Sequence, residues 1–292
     1  MKQAVIDVGS NSVRLLAMED ELPLARGSIT TRLMSGIIQG KMAEEAMERT
    51  AQAVYAHVQR AREMGVERIY AFGTSAVRDA ANRDLLLNRV KALCQLELEV
   101  MSGEQEAMLA YAGAAPQGRA GVIDIGGGST ELLCGSEGKV LRSGSAQLGA
   151  VRLLNRLGSD RDPDALVEAA LEMLSDTVRA VQGEPVERWI GVGGTITSLA
   201  AMDLELVPYS PEAIEQHPIF RGAARAWLAR LCQMSVEQRY ALPGLQKRRA
   251  DIIASGVAVL CAFFRAFPEV DRVLASEHDN LEGFLRMKAR EA

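Results

Sequence analysis

One segment of the chain occurs twice, and that repetition constrains the fold more than any other feature. Val5-Ile6-Asp7-Val8-Gly9-Ser10-Asn11-Ser12-Val13-Arg14-Leu15-Leu16 recurs 117 residues later as Val122-Ile123-Asp124-Ile125-Gly126-Gly127-Gly128-Ser129-Thr130-Glu131-Leu132-Leu133. Val, Ile, Asp, Gly, Ser and both leucines coincide. Each copy reads as a strand ending in Asp, a Gly/Ser turn and a second strand, with a charged residue (Arg14 or Glu131) beside the turn. Solenoids stack three or more short repeats, so one repeat at this distance points to two related domains.

Helical patterns fill the space between the copies. Met47, Ala51, Val54, Tyr55, Val58 and Ala61 recur at steps of three and four, and Gly65 follows as a stop. Strands are expected at 68–72, 96–101, 130–135, 139–145 and 188–192. Helices are expected from about 82, capped by Asn82, to 94, and near 149–157, 164–181, 221–233 and 248–266. Strands alternating with helices indicate an α/β fold. The small residues and proline of Ala114-Ala115-Pro116-Gln117-Gly118 mark the linker. The expected domains are therefore 1–117 and 118–292, with Asp7 superposing on Asp124. The last helix, about 280–292, is a candidate to pack back on the first domain.

Composition narrows the class. With 48% hydrophobic and 24% charged residues, the chain has the balance of a globular protein and not of a disordered or collagen-like one. The net charge of −5 leaves no basic face for duplex binding, so nucleic acid is not an expected partner. The longest nearly apolar run, Ile252 to Phe264, is too short for the roughly 20 residues of a membrane span and reads as a buried helix. Asp7 interrupts any signal-peptide core at the N-terminus, and the four cysteines show no C-x-x-C spacing. A cytoplasmic protein with reduced cysteines and no membrane partner is expected.

Three glycine turns suggest phosphate. Asp124-Ile125-Gly126-Gly127-Gly128-Ser129-Thr130 removes Cβ atoms where the backbone would approach a ligand. Its successive N–H groups make an anion-binding concavity to which Ser129 and Thr130 add hydroxyls. Asp124 at the strand end can hold a divalent cation beside that anion. Gly9-Ser10-Asn11-Ser12 is the same device in the first copy. Gly191-Val192-Gly193-Gly194-Thr195 follows a strand and opens a helix, whose positive end favours an anion. Two domains with facing turns define a cleft for a phosphate chain or nucleotide. Thr74-Ser75-Ala76-Val77-Arg78 places Arg78 and two hydroxyls at a strand's carboxyl end. Ser102-Gly103-Glu104-Gln105-Glu106 starts a helix, where first-turn acids commonly serve only the helix dipole. His57 and His217 read as incidental, and Lys247-Arg248-Arg249 as a solvated helix start that could instead face a phosphate chain. Neither a G-x-S-x-G elbow nor a G-x-x-x-x-G-K-[ST] loop occurs.

Taken together, Ile6 to Leu15, Thr74 to Ala80, Ser102 to Ala107 and Ile123 to Leu132 resemble the exopolyphosphatase / guanosine pentaphosphate phosphatase family. Leu148 to Leu153, Gly193-Gly194-Thr195 and Pro243-Gly244-Leu245 with Arg248-Arg249 extend the resemblance along nearly the whole chain. It implies two duplicated actin-like (ribonuclease H-like) domains around a central cleft, in the actin, sugar-kinase and heat-shock-chaperone superfamily. It also implies Mg²⁺ dependence and release of terminal phosphate from inorganic polyphosphate or guanosine pentaphosphate, with the tetraphosphate as a further ligand. The length is that of the short two-domain members, and a homodimer is a candidate assembly.

Carried onto this sequence, the resemblance assigns the catalytic glutamate to Glu106 and the metal-associated acids to Asp124 and Glu131. It assigns phosphate contacts to Asn11, Ser12, Arg14, Ser75, Arg78, Gly127, Gly128, Ser129, Thr130, Gly194 and Thr195. The chain departs from the family pattern at Met34-Ser35, where Gly-Glu is usual, and at Gln105, where an acid is common. It departs again at Asp279 and Leu281, where Gly and Arg are usual. These departures bear on substrate choice more than on reaction class. A same-superfamily ATP-dependent kinase and a non-catalytic nucleotide or polyphosphate sensor are the competing readings, and retention of Glu106, Asp124 and Glu131 together weighs against the sensor.

Overall fold

The computed structural model describes residues 1–114, 117–158 and 162–291. Ala115 and Pro116 of the expected linker therefore lie outside the described residues. The first half runs β1 (Lys2–Val8), β2 (Ser12–Glu19), β3 (Leu22–Thr30), a small hairpin of β4 (Ile37–Ile38) and β5 (Lys41–Met42), and helix α1 (Glu44–Glu63). It continues through β6 (Arg68–Gly73), α2 (Ser75–Arg78), α3 (Arg83–Cys94), β7 (Leu98–Val100) and α4 (Gly103–Ala114). The second half opens with β8 (Arg119–Ile125), β9 (Thr130–Ser136), β10 (Lys139–Ala146), α5 (Ala150–Leu157) and α6 (Pro163–Val181). Then follow β11 (Arg188–Val192), α7 (Gly194–Asp203), α8 (Pro211–Ile214), β12 (Pro218–Phe220), α9 (Arg221–Cys232) and α10 (Val236–Arg239). The chain closes with α11 (Ile253–Ala266), β13 (Arg272–Ala275) and α12 (Asn280–Glu291).

The two halves are built to one scheme. The first sheet has the order β3-β2-β1-β6-β7 and the second β10-β9-β8-β11-β13-β12. In each, the strand carrying the Asp pairs antiparallel with the strand after the turn and parallel with the next one: β1 with β2 and β6, β8 with β9 and β11. Asp7 sits opposite Arg14, and Asp124 opposite Glu131, at equivalent register positions. The fold is α/β and of the actin-like type.

Helix α1 buries Met47, Ala51, Val54, Val58 and Ala61, as their spacing requires, and ends before Gly65 at φ +71°. Tyr55, counted with that stripe, is exposed. Helix α11 is buried from Ile253 to Phe264. The 248–266 helix starts later than expected, because Lys247–Arg249 form a separate 3₁₀ turn. Among the described residues no helix is long and apolar enough to cross a membrane. Asn82 precedes α3 without capping it; its side chain instead bonds the Met42 backbone, at 2.9 and 3.0 Å.

After β13, in the second sheet, the chain crosses to the first. There α12 lays Leu281, Phe284 and Leu285 against Val5, Leu16, Phe72 and Leu109. Helices α12 and α4 approach through Gly283 and Gly113, where a Cβ would overlap the carbonyl oxygens of Leu109 and Asp279 respectively. Packed backbone cannot yield as a side chain can, and overpacking of this kind costs about 1–3 kcal/mol. Gly283→Ala should therefore lower the melting temperature by several degrees, and an unchanged melt would show that the helices can separate freely.

Candidate active site

The two repeated turns face each other. In each, the N–H of the first glycine closes the turn on a serine carbonyl: Gly9 on Ser12 at 3.1 Å and Gly126 on Ser129 at 3.0 Å. A Cβ at Gly127 would come within 2.9 Å of Ser10 Cβ, and one at Gly128 within 2.6 Å of Ser10 Oγ and 2.5 Å of Ser75 Oγ. Only glycine lets the turns pack so closely. The third turn enters from the second sheet, with Gly193 at φ +88° and α7 starting at Gly194.

A cleft lies between them. Of the residues proposed from sequence, Asn11, Ser12, Arg14, Ser75, Glu106, Asp124, Gly127, Ser129, Glu131, Gly194 and Thr195 line it. Gly128 lies just behind, against the Ser10 and Ser75 hydroxyls. Two expected phosphate contacts sit elsewhere. Thr130 is fully buried and donates to the Leu148 carbonyl at 2.6 Å. Side chains alternate along a strand, so with Glu131 turned to the cleft its neighbour Thr130 faces away. Arg78 does not line the cleft; its Nη1 donates to Glu106 Oε1 and to the Met101 carbonyl.

Helix α4 carries Glu106 in its first turn, and the turn is capped locally. Ser102 Oγ accepts from Gln105 N–H at 3.1 Å while Gln105 Oε1 accepts from Ser102 N–H at 2.8 Å. This reciprocal capping box gives the departure at Gln105 a structural role. Met34 is buried too; its N–H donates to Ser10 O at 2.9 Å, and its Cε lies behind Gly128.

Of the other residues that line the cleft, five carry polar or charged side chains: Asp7, Ser10, Thr74, Arg249 and Asn280. Asp7 could have been nominated by its alignment with Asp124. Arg249, grouped in sequence with a solvated helix start, lies so close over Gly194 that a Cβ there would overlap its guanidinium. Asn280 comes from the start of α12 and donates through Nδ2 to Asp124 Oδ2 at 3.2 Å.

Four acids share the site, and all are at least nine-tenths buried: Asp7, Glu106, Asp124 and Glu131. Burial raises the Glu106 pKa to about 8, against the opposing pull of Arg78. Burial, with Asp279 adding repulsion, raises Asp124 to about 7. Glu131 is pushed well above its ordinary value by burial, then by Glu106 and Asp124. Asp7 is raised by burial although Arg14 counteracts it. Burial opposes the charge on Arg14, yet Asp279 and Asp7 keep it firmly protonated, and burial lowers Arg249 to about 10.

These shifts have a consequence for stability. The folded chain keeps protons on Glu106 and Asp124 that the unfolded chain releases near 4.5 and 3.8. That contribution is complete below the unfolded values and is lost as pH rises through about 7 to 8. Without metal or phosphate, the protein should melt several degrees lower at pH 8.5 than at pH 6, and a Glu106→Gln/Asp124→Asn double variant should show a shallower fall. Equal slopes in parent and variant would contradict this origin.

A divalent cation fits the donor set. Asp7 Oδ1 is buried without a hydrogen-bond partner, and Asp124 and Glu131 are hard, desolvated carboxylates whose charge a cation would stabilise. No preformed cluster of three His, Cys, Asp or Glu side chains occurs among the described residues. Mg²⁺ is commonly held by one or two carboxylates and completed by water and phosphate oxygens, so these acids are candidate ligands for it.

Duplicated sheets whose Asp-Gly turns close on one acid- and arginine-lined cleft define an actin-like protein with an enclosed polar site. The family model described as "Ppx/GppA phosphatase family" matches residues 19–289, and the chain belongs to that family. It is 34% identical to exopolyphosphatase 2 of Mycobacterium tuberculosis over 308 aligned positions, covering 96% of each chain. It is 29% identical to the guanosine-5'-triphosphate,3'-diphosphate pyrophosphatase of Photobacterium profundum, over 90% of this chain and 54% of that one. The crystal structure of the Aquifex aeolicus Ppx/GppA family member superposes with a TM-score of 0.82 at 31% identity, covering 100% of this chain and 98% of the other.

Proposed function

We propose that the protein is a Mg²⁺-dependent phosphoanhydride hydrolase that releases the terminal phosphate of inorganic polyphosphate, of guanosine pentaphosphate, or of both. The observation that carries this reading is the convergence of three glycine turns on one cleft whose wall holds the Arg78-paired carboxylate of Glu106. The relatives bearing exopolyphosphatase and pyrophosphatase names support it.

A phosphoanhydride carries dense negative charge, so its hydrolysis is catalysed mainly by positioning and charge neutralisation. The peptide N–H groups of the turns at Asn11-Ser12, Gly127-Gly128 and Gly194-Thr195, with the Ser12, Ser129 and Thr195 hydroxyls, bind phosphate oxygens. Arg14 and Arg249 neutralise their charge. Glu106 accepts a hydrogen bond from the attacking water and takes its proton as the bond to the terminal phosphorus forms and the bridging P–O bond breaks, the shortened chain leaving with that oxygen as a phosphate anion. Arg78 orients Glu106 from outside the cleft and so is a positioning residue. Asp124 and Glu131, with the free oxygen of Asp7, are the groups that would hold Mg²⁺, whose contribution when bound is to neutralise charge on phosphate oxygens.

Inorganic phosphate release measured side by side on polyphosphate and guanosine pentaphosphate, with Mg²⁺ and then with excess EDTA, tests the reading. Release from at least one substrate, abolished by EDTA, is expected. Release that persists in EDTA removes the metal from the account, and no release from either substrate removes the activity.

A further inference from the structure

Beyond Arg14 lies a second chamber, which shares Arg14, Gly193, Gly194 and Arg249 with the cleft. Its own wall is rich in cations. Among the described residues Arg248 there bonds neutral oxygens, Gln246 Oε1 at 2.8 Å and the Ser28 carbonyl at 3.1 Å, while Arg26 pairs with Glu282. Glu277 is the other acid beside Asp279 on that wall, and the Tyr209 hydroxyl covers it.

Arg14 stands where the two spaces meet, and carboxylates hold three of its five N–H donors. Its Nε and Nη2 donate to Asp7 Oδ2 at 3.0 and 2.5 Å, and its Nη1 donates to Asp279 Oδ2. Asp279 is held firmly in that position. Its Oδ1 accepts the Leu281 N–H at 3.1 Å, its own N–H donates to Glu282 Oε2 at 3.1 Å, and its carbonyl rests on Gly113. Asp279 thereby caps α12, and the next residue, Asn280, is bonded to Asp124. A carboxylate oxygen on a guanidinium nitrogen occupies the place that a phosphate oxygen would take.

We propose that Asp279 is a specificity-determining residue: its carboxylate stands on Arg14 where a substrate phosphate would, and so disfavours polyanions long enough to run from the cleft into the second chamber. The identity of those polyanions rests on the function proposed above. A short substrate confined to the cleft reaches Arg14 through the N–H groups that Asp7 and Asp279 leave unused, and leaves Asp279 in place. A long one must displace the Asp279–Arg14 contact and pass a fixed like charge.

Calorimetric titration with tripolyphosphate and with long-chain polyphosphate, in EDTA to prevent turnover, tests the proposal on the parent, Asp279→Asn and Asp279→Ser. Both replacements are uncharged and can cap a helix, so α12 retains its start. The variants should bind long-chain polyphosphate about tenfold more tightly than the parent, with a gain of at most about twofold for tripolyphosphate. Equal gains for both lengths, weaker binding, or no binding of either ligand by any of the three proteins overturns the proposal. A parent that binds polyphosphate yet releases no phosphate counts against the proposed activity and leaves the binding comparison decisive for Asp279.

Discussion

Glu106→Gln should lower phosphate release by roughly a hundredfold to ten-thousandfold, the range typical of a lost general base. Size and hydrogen-bonding reach are kept, while charge and basicity are removed. The substrate KM should change little, because only the reacting water loses its partner. In the parent, activity should rise with pH up to about 8, since burial holds the Glu106 proton on to that value and the base acts unprotonated. Cation binding beside it would move that rise to lower pH. The residual rate of the variant should lack the rise. A first-turn glutamate serving only the helix dipole is worth a few tenths to about 1 kcal/mol of stability and would leave turnover untouched. Near-normal turnover with a flat pH comparison would therefore remove Glu106 from the mechanism.

Asp124→Asn should reduce activity by at least about a thousandfold at ordinary Mg²⁺, because an amide oxygen replaces a charged one where a hard cation is expected. Its effect on folding should run the other way. Asp124 is buried near Asp7 and Asp279, and its ionised form is disfavoured. The neutral amide removes that repulsion, so the melting temperature without metal at pH 8.5 should equal or exceed the parent's. A site that stores like charges for a ligand costs the empty protein stability, and neutralising one recovers it. Activity within about threefold of the parent would rule out Asp124 as a metal ligand; a large loss of stability would contradict the electrostatic reading of the site.

The parts of this site that sequence reveals are those its local chemistry writes down. An Asp at a strand end followed by glycine and serine needs no distant partner to form, and the repeat sets Asp7 and Asp124 at equivalent positions. Misreadings arise where a partner is far away in the chain. Arg78 is paired with Glu106, which arrives on a separate helix. Asn280 and Asp279 reach the cleft only because α12 crosses back onto the first sheet, contacts that no local pattern announces. Thr130 follows the glycine turn directly in sequence, but β9 has already begun there and strand alternation decides its direction. Strands as short as β12 and β13 carry too few residues to show a period. Asn82 has the residue type of a cap, yet the Met42 backbone offers its amide both a donor and an acceptor.

The central claim is that the cleft transfers a terminal phosphoryl group to water. Hydrolysis of polyphosphate in ¹⁸O-labelled water, with mass analysis of the released phosphate under single-turnover conditions, tests it most directly. One labelled oxygen per released phosphate, and none in the shortened chain beyond background, is the expected result. Release of unlabelled phosphate, or label entering the remaining chain instead, would contradict attack by a water held at Glu106 on the terminal phosphorus.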